Sequence, residues 1–307
     1  MATELAHDTR VTVGGALARV AAILDASGVA DSVREARELL ASLLDQPRSW
    51  PALNAETALA AADEARLLHA ARRRSRGAPL EYATGRASFR HLVLEVDERV
   101  LIPRPETELL VEIALEAGGT GVAVDVCTGS GCVALALAQE GSFSRVIATD
   151  ASLDALAVAR GNLAWLAPTM RAPVELRHGS LLAPLLERGD RASVVVSNPP
   201  YIAESEASTL PASVRDWEPA VALFSADGGM SHIRALVREA ADVLDVGGLL
   251  ALEVDARRAS LAAELVAADG RYRDVAVRLD LSGRERFVTA RRAVERTFDA
   301  RTGRGRR

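Results

Sequence analysis

The segment Ser197-Asn198-Pro199-Pro200-Tyr201 directly follows the apolar run Val194-Val195-Val196, so it reads as the loop leaving a buried strand. Two consecutive prolines stiffen that loop and remove two backbone donors, leaving main-chain carbonyls free to accept. This suits a planar amide or exocyclic amine, which has two N–H donors and a lone pair delocalised into its π system. The Asn198 side-chain oxygen and the Pro199 carbonyl are placed to take the two hydrogens at roughly 2.7–3.2 Å. Held in this way, the nitrogen pyramidalises and aims its lone pair at an electrophilic carbon, about 3–3.5 Å away in a reactive arrangement. Tyr201 is suited to cover the flat face of the amide. No strong general base is required, because the nitrogen becomes acidic only as its new bond forms and can then lose a proton to water. The competing reading is an ordinary proline-rich turn. Its position after a central strand, in a sheet that also carries a ligand turn, speaks against that reading.

The ligand turn is Val124-Asp125-Val126-Cys127-Thr128-Gly129-Ser130-Gly131-Cys132, followed by the helical run from Val133 to Gln139. Glycines at a strand-to-helix turn let a ligand approach the backbone, and the carboxyl end of a strand is where open α/β sheets bind nucleotide-like molecules. Asp150, ending the next strand, can accept hydrogen bonds from ribose hydroxyls. Gly129, Gly131 and Ala134 also fit the dinucleotide fingerprint, with Asp150 about 20 residues on. The turn alone therefore leaves dehydrogenase and methyltransferase level. Asp125 tilts the balance toward S-adenosylmethionine, because an acid before the turn favours a methionine ammonium and would repel a pyrophosphate.

These groups need a scaffold, and the period of the apolar residues supplies one. From Val11 to about Arg76 the spacing is helical, with Leu17, Val20, Ile23 and Leu24 in one helix and Leu39, Leu40, Leu43 and Leu44 in the next. Ser32 and Glu35 form a capping box that would open the second helix. A third helix is predicted from about Glu56 to Ser75, stopped by Gly77 and Pro79. Residues 88–102 change to a period of two, with a turn at Asp97-Glu98, and read as a hairpin. After Pro105, β-branched runs alternate with helical ones, which predicts a parallel sheet with strands at 122–127, 145–149, 174–177, 192–197 and 248–254. Strands at 273–279 and 286–291 have no room for a helix between them and form an antiparallel hairpin. The fold class is thus α/β: a Rossmann-like sheet with an antiparallel C-terminal hairpin, plus a small all-helical N-terminal domain. The boundaries are 1–85 for the helical domain, 86–104 for a hairpin linker, 105–291 for the sheet domain and 292–307 for a basic, disordered tail.

Composition narrows the alternatives. A chain of 307 residues, 49% hydrophobic, is long enough to bury a sizeable core. Asp125, Gln139 and Arg145 break up its most apolar stretch, so no membrane span is expected, and the acidic N-terminus does not resemble a secretory signal. Cytoplasmic residence follows as the expectation. Cys127 and Cys132 have neither redox nor metal spacing and read as packing residues, and the five histidines are scattered, so no metal is expected. All basic residues are arginines, and the net charge of −5 does not suit a protein that holds duplex nucleic acid.

With those residues in place, the chain resembles the release factor glutamine methyltransferase family over about residues 30–290. The resemblance rests on Asn198-Pro199-Pro200-Tyr201 and on Val100-Leu101-Ile102-Pro103-Arg104-Pro105-Glu106-Thr107-Glu108, a run that other amino-methyltransferases with the same loop lack. Val214-Arg215-Asp216-Trp217-Glu218-Pro219, Asp227-Gly228-Gly229 and Gly283-Arg284-Glu285-Arg286-Phe287 add to it. It implies a class I S-adenosylmethionine-dependent methyltransferase, acting as a monomer on the glutamine of the Gly-Gly-Gln loop of peptide-chain release factors, which dock on the helical domain. It further implies that Cys127, Thr128, Gly129, Ser130, Gly131, Asp150, Leu181 and Asn198, with Asp125, contact the cofactor, that Asn198 to Tyr201 grip the glutamine, and that Arg104 and Glu106 line the cleft between domains. Arg72, Arg73, Arg74 and Arg76 could meet an acidic partner, the alternative being a solvated helix end.

Three departures from the family pattern stand out. Asp125-Val126-Cys127 replaces the usual Asp-Leu-Gly. Ser180 and Leu181 align where many members place an acid and an aromatic beside the adenine. Glu253-Val254-Asp255 replaces Glu-x-Gly. Competing functions are methylation of a glutamine in a large-subunit ribosomal protein, of amino groups in DNA, and a binding module without catalysis. The Arg-Pro-Glu-Thr-Glu run at 104–108, the ten arginines balanced by ten acids in residues 1–78, and the intact Asn-Pro-Pro-Tyr loop weigh against these in turn.

Overall fold

The structure is a computed structural model that describes residues 11–294. Nine strands are present among the described residues: β1 (Arg86–Phe89), β2 (Leu92–Glu95), β3 (Val122–Val126), β4 (Arg145–Asp150), β5 (Val174–His178), β6 (Ala192–Ser197), β7 (Leu244–Glu253), β8 (Tyr272–Leu279) and β9 (Glu285–Arg292). The last seven form one sheet in the order β5-β4-β3-β6-β7-β9-β8. Strands β3 to β7 run parallel, and β9 pairs antiparallel with both β7 and β8, closing the predicted C-terminal hairpin. The central strands are buried on both faces, as apolar runs such as Val194-Val195-Val196 require.

The order places the switch point of the sheet between β3 and β6. From β3 the chain builds outward through β4 to β5, then returns to the other side of β3 with β6. In open α/β sheets a ligand crevice forms at this reversal. The β3–β6 register pairs Val126 with Ser197, and Ser197 Oγ donates to the Val126 carbonyl at 2.7 Å. The glycine turn and the Asn-Pro-Pro-Tyr loop therefore leave neighbouring strand ends on the same edge.

The β1–β2 hairpin turns at Arg90-His91 rather than at the predicted Asp97-Glu98. Arg90 takes a left-handed φ of 51°, and its side chain reaches Glu140 at 2.7 Å while its backbone N–H donates to Glu108 at 2.9 Å. Asp97 instead closes a separate turn, its carbonyl accepting from Val100 N–H and its carboxylate from Arg99 N–H.

Asn162, wholly buried on the helix Leu153–Leu166, ties β2 to the ligand turn. Its amide donates to the Glu95 and Ser130 carbonyls at 3.0 and 2.9 Å and accepts from Glu95 N–H at 2.7 Å. Asn162→Ala removes the partner of three backbone groups, one of them buried, so the variant is expected to lose about 2 kcal/mol of stability, seen as a fall of several degrees in melting temperature.

The second compact unit comprises the described chain up to Arg86 together with Pro211–Trp217. Its helices are Val13–Asp25, Ser32–Leu44, Trp50–Leu53, Ala61–Arg74 and Leu80–Thr84, with the short Ala212–Arg215 from the second segment. Val13, Val20, Leu24, Leu39, Leu40 and Leu67 fill its interior. Two details differ from the sequence reading. Asp31, not Ser32, caps the second helix, accepting from Arg34 N–H, while Glu35 pairs with Arg74 at 2.7 Å. The third helix starts at Ala61, because the residues before it run beside the first: Thr12 and Ala58 form an antiparallel bridge, and Val13 N–H donates to the Thr57 carbonyl. No helix among the described residues is long and apolar enough to cross a membrane. Most of the predicted tail lies outside the described residues.

Candidate active site

The ligand turn is built from alternating left-handed residues: Cys127, Gly129 and Gly131 have φ of 62°, 55° and 85°. Glycine adopts this backbone freely, whereas at Cys127 the side chain costs about 1 kcal/mol. The missing family glycine thus leaves the left-handed geometry in place. Gly131 packs the turn onto the helices, since a Cβ there would meet Ala159 and Leu135 at 3.4 Å.

Asp125 holds the turn from below. It is 2% exposed, and one carboxylate oxygen accepts from Thr128 Oγ1 at 2.6 Å and from Ala134 N–H at 3.1 Å. Burial pushes its carboxyl up to about 7. Asp150 accepts from Gly129 N–H at 2.9 Å and Ser152 N–H at 2.8 Å, and burial raises its carboxyl as well. Burial also raises the Cys127 thiol, so it remains protonated.

Two hollows open at this edge. The larger, about 700 Å³ and open to solvent, is lined by Asp150, Leu181, Ser180, Pro200 and His232 among others. The smaller, about 390 Å³, is lined by Asp125, Thr128, Ser130, Thr107 and Arg104 among others. They share Leu101, Cys127, Gly129 and Asn198 as their common wall. Of the residues singled out in the sequence, Pro199, Tyr201, Gly131 and Glu106 line neither hollow. Arg104 donates to Glu218 at 2.6 Å.

The loop after β6 is pinned on both sides. Pro199 and Pro200 are buried, and Tyr201 packs half-buried against the core of the sheet domain, its phenol raised by burial. Ile202 N–H donates to the Leu223 carbonyl, and the Ile202 carbonyl accepts from Ser225 N–H. Gly229, φ 92°, lies so close that a Cβ there would sit 2.2 Å from the Tyr201 carbonyl oxygen. Asn198 donates through Nδ2 to Thr107 Oγ1 at 3.1 Å.

Several site residues escaped the sequence reading. Thr107 stood within the quoted run at 100–108 without a role. His232, Val221 and Ala222 line the larger hollow, with His232 Nδ1 2.8 Å from Ser225 Oγ and burial lowering its imidazole below the usual histidine range. No periodicity or spacing marks these three, because tertiary folding alone brings them to the strand edge.

The smaller hollow fits an amino-acid end group. Asp125 provides a buried acid, and the Ser130 hydroxyl is buried without a hydrogen-bond partner. The larger hollow, with Asp150 on its wall and mostly apolar residues opposite, fits a nucleoside. The switch point between β3 and β6, the glycine turn on β3 and the acid ending β4, taken together with the antiparallel β9 beside β7 and the Asn-Pro-Pro-Tyr loop leaving β6, are those of a Rossmann-like methyltransferase.

Comparison with known proteins bears on this class. Residues 15–85 match the PrmC N-terminal domain, and residues 105–215 match the methyltransferase small domain. The release factor glutamine methyltransferase of Moorella thermoacetica is 40% identical over 290 residues, covering 93% of this chain and 100% of the relative. That of Deinococcus radiodurans is 39% identical, covering 90% and 97%, and that of Mycolicibacterium smegmatis 43% identical, covering 73% and 78%. The chain belongs to the release factor glutamine methyltransferase family.

Proposed function

We propose that this protein transfers the methyl group of S-adenosylmethionine to the side-chain amide nitrogen of the glutamine in the Gly-Gly-Gln loop of peptide-chain release factors. The observation that carries the reading is Asn198, whose side chain stands in the wall common to both hollows with its Nδ2 held by Thr107 and its Oδ1 left to accept. When bound, S-adenosylmethionine supplies its methyl as an electrophile on a positively charged sulfur.

Asp150 is placed to take the ribose hydroxyls, and Leu181 to bound the adenine. Asp125, Ser130 and the turn Cys127–Gly131 are placed to hold the methionine end, where the buried Asp125 carboxyl gains a cationic partner. Asn198 Oδ1 and the Pro199 carbonyl accept the two amide hydrogens of the glutamine, holding its nitrogen lone pair toward the methyl. The pinned Tyr201 keeps this loop in register. The nitrogen proton leaves to water as the new bond forms. The helical unit, with its PrmC N-terminal match, is assigned to docking the release factor, and the protein acts in the cytoplasm as a monomer without nucleic acid.

The test is methyl transfer from radiolabelled S-adenosylmethionine, with release factor, large-subunit ribosomal protein and DNA offered in parallel. Label is expected on the Gly-Gly-Gln glutamine. Label confined to another acceptor would keep the chemistry and overturn the substrate.

A further inference from the structure

We infer that His232 holds the adenine of the cofactor: Ser225 donates its hydroxyl hydrogen to Nδ1, which leaves Nε2–H as a fixed donor for a ring nitrogen of the base. The inference rests on the functional reading above, in which the larger hollow takes the nucleoside. His232 lines that hollow and is half-buried as the second residue of the helix Ser231–Val243. Ser225 is 3% exposed and precedes a turn in which Asp227 and Gly228 take left-handed φ of 54° and 62°. The turn folds the chain back, so that both the backbone N–H and the imidazole of His232 meet the serine hydroxyl, at 3.4 and 2.8 Å.

The tautomer follows from counting hydrogens. Ser225 Oγ accepts from the His232 backbone N–H, and its other contact is Nδ1. If Nδ1 carried the ring hydrogen, the oxygen would accept twice, and its own hydrogen would be buried without an acceptor among the described residues. A stranded buried donor is costly. The hydroxyl therefore donates to Nδ1, and the hydrogen of the uncharged ring sits on Nε2. Burial lowers the imidazole below the usual histidine range, which favours the uncharged form. Nε2 has no hydrogen-bond partner among the described residues. With Nδ1 occupied, it is the ring atom left for a ligand.

The other polar side chains around the hollow are engaged or turned to other tasks. Asp150 is placed for the ribose, and Asn198 is held by Thr107. Arg99 pairs with Asp97, Ser152 Oγ accepts from Ala155 N–H, and Ser180 is exposed. Adenine brings three ring nitrogens that accept hydrogen bonds, and a mostly apolar wall leaves them unpaired at a cost. His232 supplies the donor on the side where Val221 and Ala222 supply only packing.

The experiment is calorimetric binding of S-adenosylhomocysteine to the full chain at pH 8, together with its 1-, 3- and 7-deaza analogues, each of which replaces one ring nitrogen by C–H. His232→Phe is expected to weaken S-adenosylhomocysteine about tenfold, the effect of losing one orienting hydrogen bond. His232→Gln, whose side-chain amide carries an N–H at similar reach, recovers most of it. One deaza analogue loses about tenfold on the wild-type chain and nothing further on His232→Phe. Nitrogen-15 spectra of histidine-labelled protein, assigned by the His232→Phe variant, show the Nε2–H tautomer, and Ser225→Ala mixes the two. A wild-type chain that binds no S-adenosylhomocysteine sinks the functional reading. One that binds it while all three analogues lose equally on wild type and His232→Phe, or whose His232 carries its hydrogen on Nδ1, sinks the assignment of His232 alone.

Discussion

Asn198→Ala is expected to lower methyl transfer by about 10²- to 10³-fold, the range seen when one preorganised hydrogen-bonding group is removed from a transition-state site, while S-adenosylhomocysteine binds with little change. The asymmetry follows from geometry. The turn and Asp150 are built from β3 and β4, with their own hydrogen bonds to Thr149, Ser152 and Ala134, and none of these passes through Asn198. The amide of Asn198, by contrast, is the acceptor that suits an amine to the methyl. An amide nitrogen is a poor nucleophile because its lone pair is shared with the carbonyl, and holding both hydrogens out of plane is what releases it. Equilibrium binding and single-turnover transfer measured on the same preparation separate the two effects. Loss of cofactor binding in parallel with transfer would place Asn198 in the cofactor site instead.

The sheet was legible in the sequence because its strands are short, apolar and β-branched, and because a helix separates each parallel pair. Val194-Val195-Val196 reads as a buried central strand in any context, and the two strands of the C-terminal hairpin lie too close in the chain for anything but an antiparallel pair. Local turn chemistry was less legible. The alternating pattern of residues 88–102 fits two registers of the same hairpin, and Arg90 settled it through ion pairs with Glu140 and Glu112, which lie far along the chain. The capping shift from Ser32 to Asp31 has a similar origin, since Glu35 is drawn off to Arg74.

At the site, residues carrying a local signature were visible, and residues acting through space were not. Glycines in a turn, an acid at a strand end and two prolines after a strand each announce a backbone requirement. Thr107 becomes meaningful only when folding brings its hydroxyl 3.1 Å from the Asn198 amide. Thr107 and Asn198 lie 91 positions apart in the chain, beyond the reach of any spacing rule.

Asp150→Ala is expected to weaken S-adenosylhomocysteine binding by about 10²-fold or more. Each hydrogen bond from a ligand hydroxyl to a carboxylate contributes about 1.5–3 kcal/mol, and Asp150 is placed to take two. The same carboxylate accepts from Gly129 N–H, so its removal also loosens the turn, whereas Asp150→Asn keeps acceptors for the turn and recovers part of the affinity. An analogue without ribose hydroxyls separates the two contributions: it should bind wild type and Asp150→Ala with nearly equal affinity if the ribose contact dominates. Proton linkage provides an independent check. Burial holds Asp125 up at about 7 and Asp150 above its ordinary value, and a ligand that carries an ammonium and donates hydroxyls prefers both groups ionised. Binding must therefore release protons below neutrality, and affinity must rise as pH increases through about 7. Calorimetry in buffers of different ionisation enthalpy reads that release directly. Asp125→Asn, which keeps acceptors for Thr128 and Ala134, should abolish most of it, whereas a release unchanged in that variant would mean that the buried acid does not face the methionine end of the ligand.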